Sequence, residues 1–214
     1  MITWYARAWG YFDQNRKLVY AVIAGVLLVI LAIIGYIFYQ NEQGREAEEL
    51  LGSVISFYEA GSYQEALDGT AGTIGLLEIA DEYGGTDAGN LSHFYAADAL
   101  YNLGEYERAL EHFQEFDKIE GFIGASAIAG EAAVYENLGE YERAANRYLD
   151  AAEFFENTLA SPRYLMDAAR AFEAAGVYSE AQRAYEQILE DYPESNLAAQ
   201  AEVYIARAQA RQDS

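Results

Sequence analysis

The stretch NLGEYERA spans residues 102–109 of this chain and returns unchanged at residues 137–144. Looser copies, in which a Gly is followed two residues later by Tyr and five residues later by Ala, begin at Gly61 and Gly176. A repeat period of about 20–50 residues indicates stacked structural units rather than one closed core. The repeated phrase therefore decides the fold class.

Each copy of the phrase predicts the end of one helix, a tight turn and the start of the next helix. Glycine tolerates the left-handed backbone conformation that ends many helices. The Tyr and the Ala, three residues apart, share one face of the following helix. Each unit is thus a helical hairpin with one apolar side, which it buries only by stacking on its neighbours.

This pattern resembles the tetratricopeptide repeat (TPR) family, whose period is about 34 residues. The resemblance implies an all-α, TPR-like α-solenoid of helical hairpins, preceded here by one transmembrane helix. Aligned to that family, four units fall at residues 47–80, 90–123, 125–158 and 162–195 of a TPR domain spanning 40–214. We predict a polar, Gly-rich loop at residues 81–89 between the first two units, and a capping helix at residues 197–211.

Charge and composition exclude several classes of function. The formal net charge of the chain is −22, so its surface repels phosphate backbones and we expect no nucleic-acid partner. The chain has no cysteine, which excludes disulfides, thiolate metal sites and a cysteine nucleophile. An acidic, Lys-poor surface also suits a high-salt habitat, and a solubilised helical repeat remains an equally good explanation.

Residues 18–39 form an uncharged apolar run of 22 residues. At about 1.5 Å per residue, this run is long enough to cross the hydrocarbon layer of a bilayer. We predict an uncleaved signal-anchor helix rather than a cleaved signal peptide, because no small-residue cleavage site follows the run. Basic residues before it, against Arg45 alone close after it, place residues 1–17 in the cytoplasm and the repeats in the periplasm of a bacterium.

Two features near this helix point to a membrane partner. Small residues and one leucine recur along one helix face, where a second helix can approach closely. They are Ala21, Gly25, Leu28, Ala32 and Gly35. Ordinary use of Gly and Ala in membrane helices explains the same stripe. Residues 1–17 are rich in aromatic side chains, which favours either an interfacial helix or docking onto a membrane protein.

We find no convincing catalytic motif, so the sequence predicts a protein that is not an enzyme and has no cofactor and no metal site. No zinc-protease, nucleophile-elbow or phosphate-loop phrase occurs. The two histidines, His93 and His112, each fall in a repeat helix, where we expect structural or surface roles. Paired carboxylates carry no catalytic signal in a chain with 35 acidic residues.

The TPR resemblance implies a protein-binding groove lined by the first helix of each hairpin. Its predicted residues are Leu51, Ile55, Tyr58, Phe94, Asp98, Tyr101, Asn102, Asn137, Arg163, Met166 and Arg170, with Ala133, Glu136 and Glu173 beside them. The aromatic members suit apolar side chains, the asparagines suit a peptide backbone, and the arginines suit carboxylates. Pairing of Arg170 with Asp167 or Glu173 is the alternative for that arginine, and the convex face is the alternative binding surface.

In its layout, a short cytoplasmic segment, one membrane helix and exported repeats, the chain resembles the YfgM-like ancillary subunit of the SecYEG translocon. That resemblance implies a non-catalytic scaffold that assists protein translocation or periplasmic folding beside the Sec translocon. Its expected partners are a membrane complex and exported or periplasmic polypeptides, with no small-molecule substrate. The alternative is a structural accessory subunit of a large respiratory or secretion complex, in which the membrane helix makes the main contact.

Overall fold

The structure is a computed structural model that describes residues 16–212. Within these residues it contains ten helices and one two-stranded hairpin. The helices are α1 Arg16–Glu59, α2 Tyr63–Asp68, α3 Leu76–Tyr83, α4 Asp87–Asn102, α5 Tyr106–Glu115, α6 Phe122–Asn137, α7 Tyr141–Phe154, α8 Ser161–Ala175, α9 Tyr178–Asp191 and α10 Ala198–Gln212. The strands are β1 Gly69–Thr70 and β2 Thr73–Ile74, paired antiparallel. Of the aromatic-rich segment at residues 1–17, all but Arg16 and Lys17 lie outside the described residues.

The chain divides into two compact units, Met1–Glu46 and Ala47–Ser214. Within residues 16–212, α1 is the one helix that is long and apolar enough to cross a membrane. Its most apolar window has a mean hydropathy of 3.0, and no residue of that window is buried. A single membrane span and an N-terminal signal sequence both have these properties.

The four turn glycines adopt the same left-handed conformation. The φ angles of Gly61, Gly104, Gly139 and Gly176 lie between 75° and 81°. At each turn the residue after the glycine donates its backbone N–H to the carbonyl of the residue five positions earlier, as Glu105 does to Leu100 at 2.9 Å and Glu140 to Tyr135 at 2.8 Å. The predicted helix stops are therefore confirmed as four Schellman motifs.

Alanine and aromatic side chains fill the interior of the second unit. The alanine of each phrase is fully buried: Ala66, Ala109, Ala144 and Ala181. Behind them, the second helices bury Phe113, Tyr148 and Tyr185. Because alanine has almost no side chain, the paired helices approach closely and the large rings fill the space between hairpins. This packing forms the all-α, TPR-like solenoid that the repeats predict.

The extra residues of the first repeat lie at a different place from the one that the sequence indicated. The loop predicted at residues 81–89 is shorter in the structure, where residues 84–86 alone connect α3, which ends at the buried Tyr83, to α4, which begins at Asp87. The extra residues instead form β1 and β2, between α2 and α3. A Cβ on Gly69 would lie 2.2 Å from the carbonyl oxygen of Thr73, so only glycine fits this close crossing.

A buried charge cluster joins α6 and α7 in the third hairpin. Glu131 is 1% exposed, and one of its carboxylate oxygens accepts hydrogen bonds from Arg147. Lys118 Nζ lies 2.8 Å from the other oxygen as an ion pair, although its angle does not make a hydrogen bond. Arg147 also reaches Asp150 at 2.9 Å. Because a buried carboxylate is costly without compensation, Arg147 holds α7 against α6, and Lys118, from the segment before α6, compensates the same charge.

Helix α10 packs against the last hairpin. It buries Ala201 and Ala208, and its Tyr204 ring lies 5.4 Å from that of Tyr185, centroid to centroid. Arg207 donates to Glu173 of α8 at 2.6 Å. These contacts cover apolar surface of α9, the last helix of the stack. The boundaries drawn for the four repeats and the capping helix remain a prediction.

Candidate binding groove

In each hairpin, the residue three positions before the turn glycine lies on the surface predicted to form the groove. These residues are Tyr58, Tyr101, Glu136 and Glu173, and all are partly exposed. They lie on the first helix of each hairpin, namely residues 47–59 of α1, then α4, α6 and α8. We call the surface of these helices the groove face. It is aromatic in the first two hairpins and acidic in the last two.

In the aromatic half, a hydrogen bond joins α1 to α4. The Tyr58 hydroxyl donates to Asp98 Oδ2 at 2.6 Å, and Asn102 Nδ2 donates to the same oxygen at 3.0 Å. Burial, reinforced by the neighbouring Asp98 carboxylate, raises the pKa of Tyr58, so its hydroxyl remains a donor. Asp98 therefore has two donors on its carboxylate and stabilises the groove face rather than standing free for a ligand.

A cleft of about 380 Å³ lies between residues 47–59 of α1 and the start of α4. The predicted groove residues Leu51 and Ile55 line it from α1, and Leu91 and Tyr95 line it from α4. The Tyr95 ring packs edge-on against Tyr58, with centroids 5.0 Å apart. The sequence reasoning missed Tyr95, although its position four residues after Leu91 puts both on one helix face. The cleft can receive an apolar side chain.

Phe94 occupies a different environment from the other predicted groove residues. Its ring lies 5.7 Å from that of Phe116 and 6.3 Å from that of Phe113, centroid to centroid. Both of these partners are buried core residues of the second unit. Most of the Phe94 contacts are thus inside the hairpin, and only its partly exposed remainder faces outward.

The two predicted asparagines use their amide donors within the protein. Asn102 Nδ2 donates to the carbonyl of Asp98 at 2.8 Å, and Asn137 Nδ2 donates to that of Ala133 at 2.9 Å. Asn137 also donates to the Tyr101 hydroxyl at 3.0 Å, which joins α6 to α4. Since their donors are used, these exposed side chains offer a ligand mainly their amide oxygens, which accept backbone N–H groups.

In the acidic half, tyrosines of the second helices donate to the groove-face carboxylates. Tyr148 donates to Glu136 at 3.2 Å, and Tyr185 donates to Glu173 at 3.4 Å. Burial raises the pKa of both tyrosines, and the adjacent carboxylates act in the same direction. Both hydroxyls therefore remain protonated and donate to the glutamates, which fixes the position of each carboxylate on the groove face.

The three predicted residues of α8 lie around a second cleft, of about 410 Å³, between α8 and α10. Arg163 and Arg170 are exposed, whereas Met166 is 5% exposed and belongs to the core. Arg170 pairs with Asp167 at 3.2 Å, as the alternative interpretation predicted. Burial raises the pKa of Asp167, an effect that Arg170 and Arg163 oppose and Glu136 reinforces.

The two histidines, which the sequence placed in separate structural roles, meet between α4 and α5. Their Nδ1 atoms are 3.1 Å apart, and both lie beside the carboxylate of Glu115. Burial lowers the pKa of His112, and a positive charge on His93 acts in the same direction. Sequence spacing alone gave no sign of this meeting, because 19 residues separate the two histidines.

The predicted helix-packing face lies within the first unit and is exposed along its whole length. Its residues, Ala21, Gly25, Leu28, Ala32 and Gly35, all belong to α1. A Cβ added at Gly25 or Gly35 would meet nothing within 4 Å. Both glycines therefore leave open space on the helix surface.

Comparison with known proteins supports the repeat assignment in two of the hairpins. The sequence profile of the tetratricopeptide repeat family matches residues 92–118 and 164–195, which cover most of the α4–α5 and α8–α9 hairpins. These two segments of the chain are therefore similar to tetratricopeptide repeats. A crystal structure of nearly identical TPR-like repeats from a candidate kinesin light chain of Podosopora anserina aligns with a TM-score of 0.60. That alignment covers 80% of this chain and 88% of the other at 16% identity, so it supports the fold alone. No curated protein sequence matches the chain.

These comparisons support the TPR family and a coarse function. TPR repeats imply a protein–protein interaction scaffold, and TPR domains typically bind other proteins. TPR proteins are also generally non-catalytic scaffolds. The groove face, with its apolar cleft and its tyrosine-held carboxylates, is the surface on which such binding is to be sought.

Proposed function

We propose that this chain is a membrane-tethered TPR scaffold whose groove face binds segments of exported polypeptides. The observation that carries the proposal is the apolar cleft lined by Leu51, Ile55 and Tyr95, beside a row of fixed polar groups. An apolar side chain of the partner enters the cleft, and its backbone N–H groups meet the amide oxygens of Asn102 and Asn137. Arg163 receives a carboxylate at the far end of the groove face.

The proposed location is the inner membrane of a bacterium, with a single span, a cytoplasmic N-terminus and a periplasmic TPR domain. The basic residues that precede the apolar run support this orientation, since cytoplasmic flanks carry an excess of Lys and Arg. The proposed task, by resemblance to the YfgM-like family, is to assist translocation or periplasmic folding beside the Sec translocon.

Site-specific photo-crosslinking tests the groove. A photoreactive residue replaces Ile55 in the cleft. As the matched control, the same residue replaces Glu186, which is exposed on α9, the second helix of the fourth hairpin. We expect cross-links to exported polypeptides and to translocon subunits from position 55 and few from position 186. Equal cross-linking from the two positions would reject the groove face as the binding surface.

The orientation has its own test, because the chain has no cysteine and a single introduced thiol is unambiguous. Ala199→Cys places that thiol at an exposed position of α10. We expect a membrane-impermeant maleimide to label it in cells whose outer membrane has been permeabilised. Labelling only after the inner membrane is lysed would place the TPR domain in the cytoplasm and overturn the proposed location.

A second candidate function, an accessory subunit of a large membrane complex, rests on the exposed stripe that contains Gly25 and Gly35. In that case Gly25→Leu or Gly35→Leu releases the chain from its complex, because the added bulk separates the two helices. Ile30→Phe, half a turn away on the opposite side of α1, is the matched control. Release by the stripe variants, together with intact binding by a groove variant such as Ile55→Glu, favours this second function.

A further inference from the structure

Three potential ligand atoms converge between the helices of the second hairpin. His93 Nδ1 on α4 lies 3.1 Å from His112 Nδ1 on α5. Glu115 Oε2 lies 3.3 Å from the first nitrogen and 3.8 Å from the second. The chain has only two histidines, and both are in this cluster.

The local fold explains the convergence. His112 and Glu115 are three residues apart on α5 and therefore share one face of that helix. The turn at Gly104 sets α5 antiparallel to α4, which brings His93 to the level of His112. The imidazole centroids are 5.3 Å apart and the rings are tilted by 39°, so their Nδ1 atoms point into one space rather than stack.

The spacing of the three atoms fits a tetrahedral cation. Zinc binds imidazole nitrogen and carboxylate oxygen at about 2.0–2.2 Å, which separates neighbouring ligand atoms by about 3.3–3.5 Å. The observed separations of 3.1, 3.3 and 3.8 Å fall on both sides of that value. We propose that His93, His112 and Glu115 form a binding site for zinc or a similar divalent transition-metal ion.

Exposure indicates that such a site is open on one side. The side chains of His93 and His112 are 14% and 18% exposed, whereas that of Glu115 is 61% exposed. The histidines thus form the wall between the helices, and the fourth coordination position faces solvent beside Glu115. A zinc site with three protein ligands and one open position takes water or a side chain of a partner there.

The protonation chemistry of the pair favours a cation. Without a metal, only one proton can lie between the two facing Nδ1 atoms, and protonating both rings sets two positive charges against each other. The neutral imidazole is the form that binds metal.

The third hairpin shows that this cluster is not required for the fold. At the positions 35 residues later stand Ile128, Arg147 and Asp150, and the same turn and the same helix pairing form without a histidine. The cluster is therefore a particular feature of the second hairpin. A cation there joins α4 to α5, and the net charge of −22 raises the local concentration of cations.

Metal titration of the tag-free full chain in mild detergent, after removal of metal with a chelator, tests the site. We expect one zinc ion per chain and a higher melting temperature in saturating zinc, since a ligand that binds only the folded state stabilises it. Glu115→Gln is expected to weaken zinc binding by about tenfold or more. Glu111→Gln, an exposed carboxylate one turn earlier on α5, is the matched control and is expected to bind as the parent does.

His112→Gln is expected to abolish the zinc-dependent rise in melting temperature. Should this variant fail to fold, the exposed Glu115 still decides the question, because its replacement removes no buried contact. Three results would each overturn the proposal: no zinc-dependent stabilisation of the parent chain, equal losses in Glu115→Gln and Glu111→Gln, or equal binding of zinc and magnesium. The last two would indicate diffuse attraction to an acidic surface.

Discussion

The α4–α5 and α6–α7 hairpins share the phrase NLGEYERA and yet carry different chemistry on the helices that flank it. Their turns are alike: Gly104 and Gly139 have φ angles of 81° and 79°. In each, the phrase's arginine pairs with the glutamate three residues before it, Arg108 with Glu105 and Arg143 with Glu140. The shared phrase therefore specifies a turn, and the residues outside it distinguish the hairpins.

The differences are concentrated at positions where the two helices of a hairpin face each other. Where the second hairpin has the small, buried Ala96, the third has Glu131, also buried. At equivalent positions of the second helices stand His112 in one hairpin and Arg147 in the other, and Arg147 binds Glu131. The second hairpin thus brings two imidazoles together, while the third uses a buried carboxylate and its cations. One backbone accommodates both solutions because the turn and the alanine packing fix the helix pair independently.

The largest expected effect comes from removing the arginine of the third hairpin. Arg147→Met leaves the buried Glu131 carboxylate without its hydrogen-bond donor and with Lys118 alone for charge compensation. We expect the free energy of unfolding to fall by about 3 kcal/mol, the usual cost of breaking a buried ion pair from one side. Denaturant unfolding of the full chain in mild detergent, followed by helical circular dichroism, measures it.

Arg108→Met in the second hairpin is the control for that experiment, because its ion pair with Glu105 is exposed at the surface. We expect a loss below about 0.5 kcal/mol. Equal losses in the two variants would contradict the view that the third hairpin depends on a buried charge where the second does not.

The turn glycines test the other side of the comparison, that the two turns are equivalent. Gly104→Ala and Gly139→Ala each force a left-handed conformation on a residue with a Cβ, at a cost of about 1–2 kcal/mol. An added Cβ meets nothing within 4 Å at either position, so the cost is conformational and should be the same in both. Gly85→Ala, also in open space but without a positive φ, should cost nothing. Unequal losses at the two turns would show that the phrase does not act alone.

The fold could be predicted from the sequence because its signals are local and periodic. A Gly that ends a helix, followed by Tyr and Ala at fixed spacing, fixes each hairpin, and the four Schellman turns follow directly. The β1–β2 insertion could not be located in this way. In the sequence, the pair Gly69 and Gly72 and the pair Gly84 and Gly85 mark an insertion equally well. Only the burial of Leu76 and Ile79, which places α3 in the core, shows that the extra residues lie at Gly69 and Gly72.

The candidate site was less predictable, because it depends on contacts between helices. Leu51 and Ile55 could be named because the TPR resemblance implies a groove along the first helix of each hairpin, and both residues line a cleft. Phe94 could not be assigned to the interior without knowing where Phe113 and Phe116 lie. The meeting of His93 with His112 depends on the relative level of two antiparallel helices, which composition and spacing do not fix to the accuracy of a hydrogen bond.

The aromatic residue four positions after the shared phrase differs between the two hairpins, and we expect this difference to have a smaller effect on stability. Tyr148 of the third hairpin donates to Glu136, whereas its counterpart in the second hairpin, Phe113, has no hydroxyl. Tyr148→Phe should therefore reduce the free energy of unfolding by about 1 kcal/mol, the net value of one hydrogen bond. Tyr141→Phe, an exposed tyrosine of the same helix, is the control and should be neutral. A neutral Tyr148→Phe would mean that this hydroxyl contributes nothing to holding Glu136.

The second and third hairpins are also expected to differ in how their stability responds to acid. At neutral pH this difference is the smallest of those predicted. Burial lowers the pKa of His112 in the folded chain below its usual value of about 6.5, so the unfolded chain binds more protons in that range. Stability from this group is complete above about pH 6.5 and is lost as the pH falls toward the folded pKa. Its counterpart Arg147 keeps its charge throughout.

The measurement is the difference in unfolding free energy between the parent and His112→Gln, taken in chelator from about pH 7.5 to 5, where His112 changes charge. The parent should lose more stability than the variant on acidification, because the variant has no proton to gain at this position. The many carboxylates of the chain cancel in the difference. A difference that stays constant, or that grows in favour of the parent as the pH falls, would show that the histidine pair is accommodated in its charged form. The second hairpin would then lose no stability through His112 on acidification.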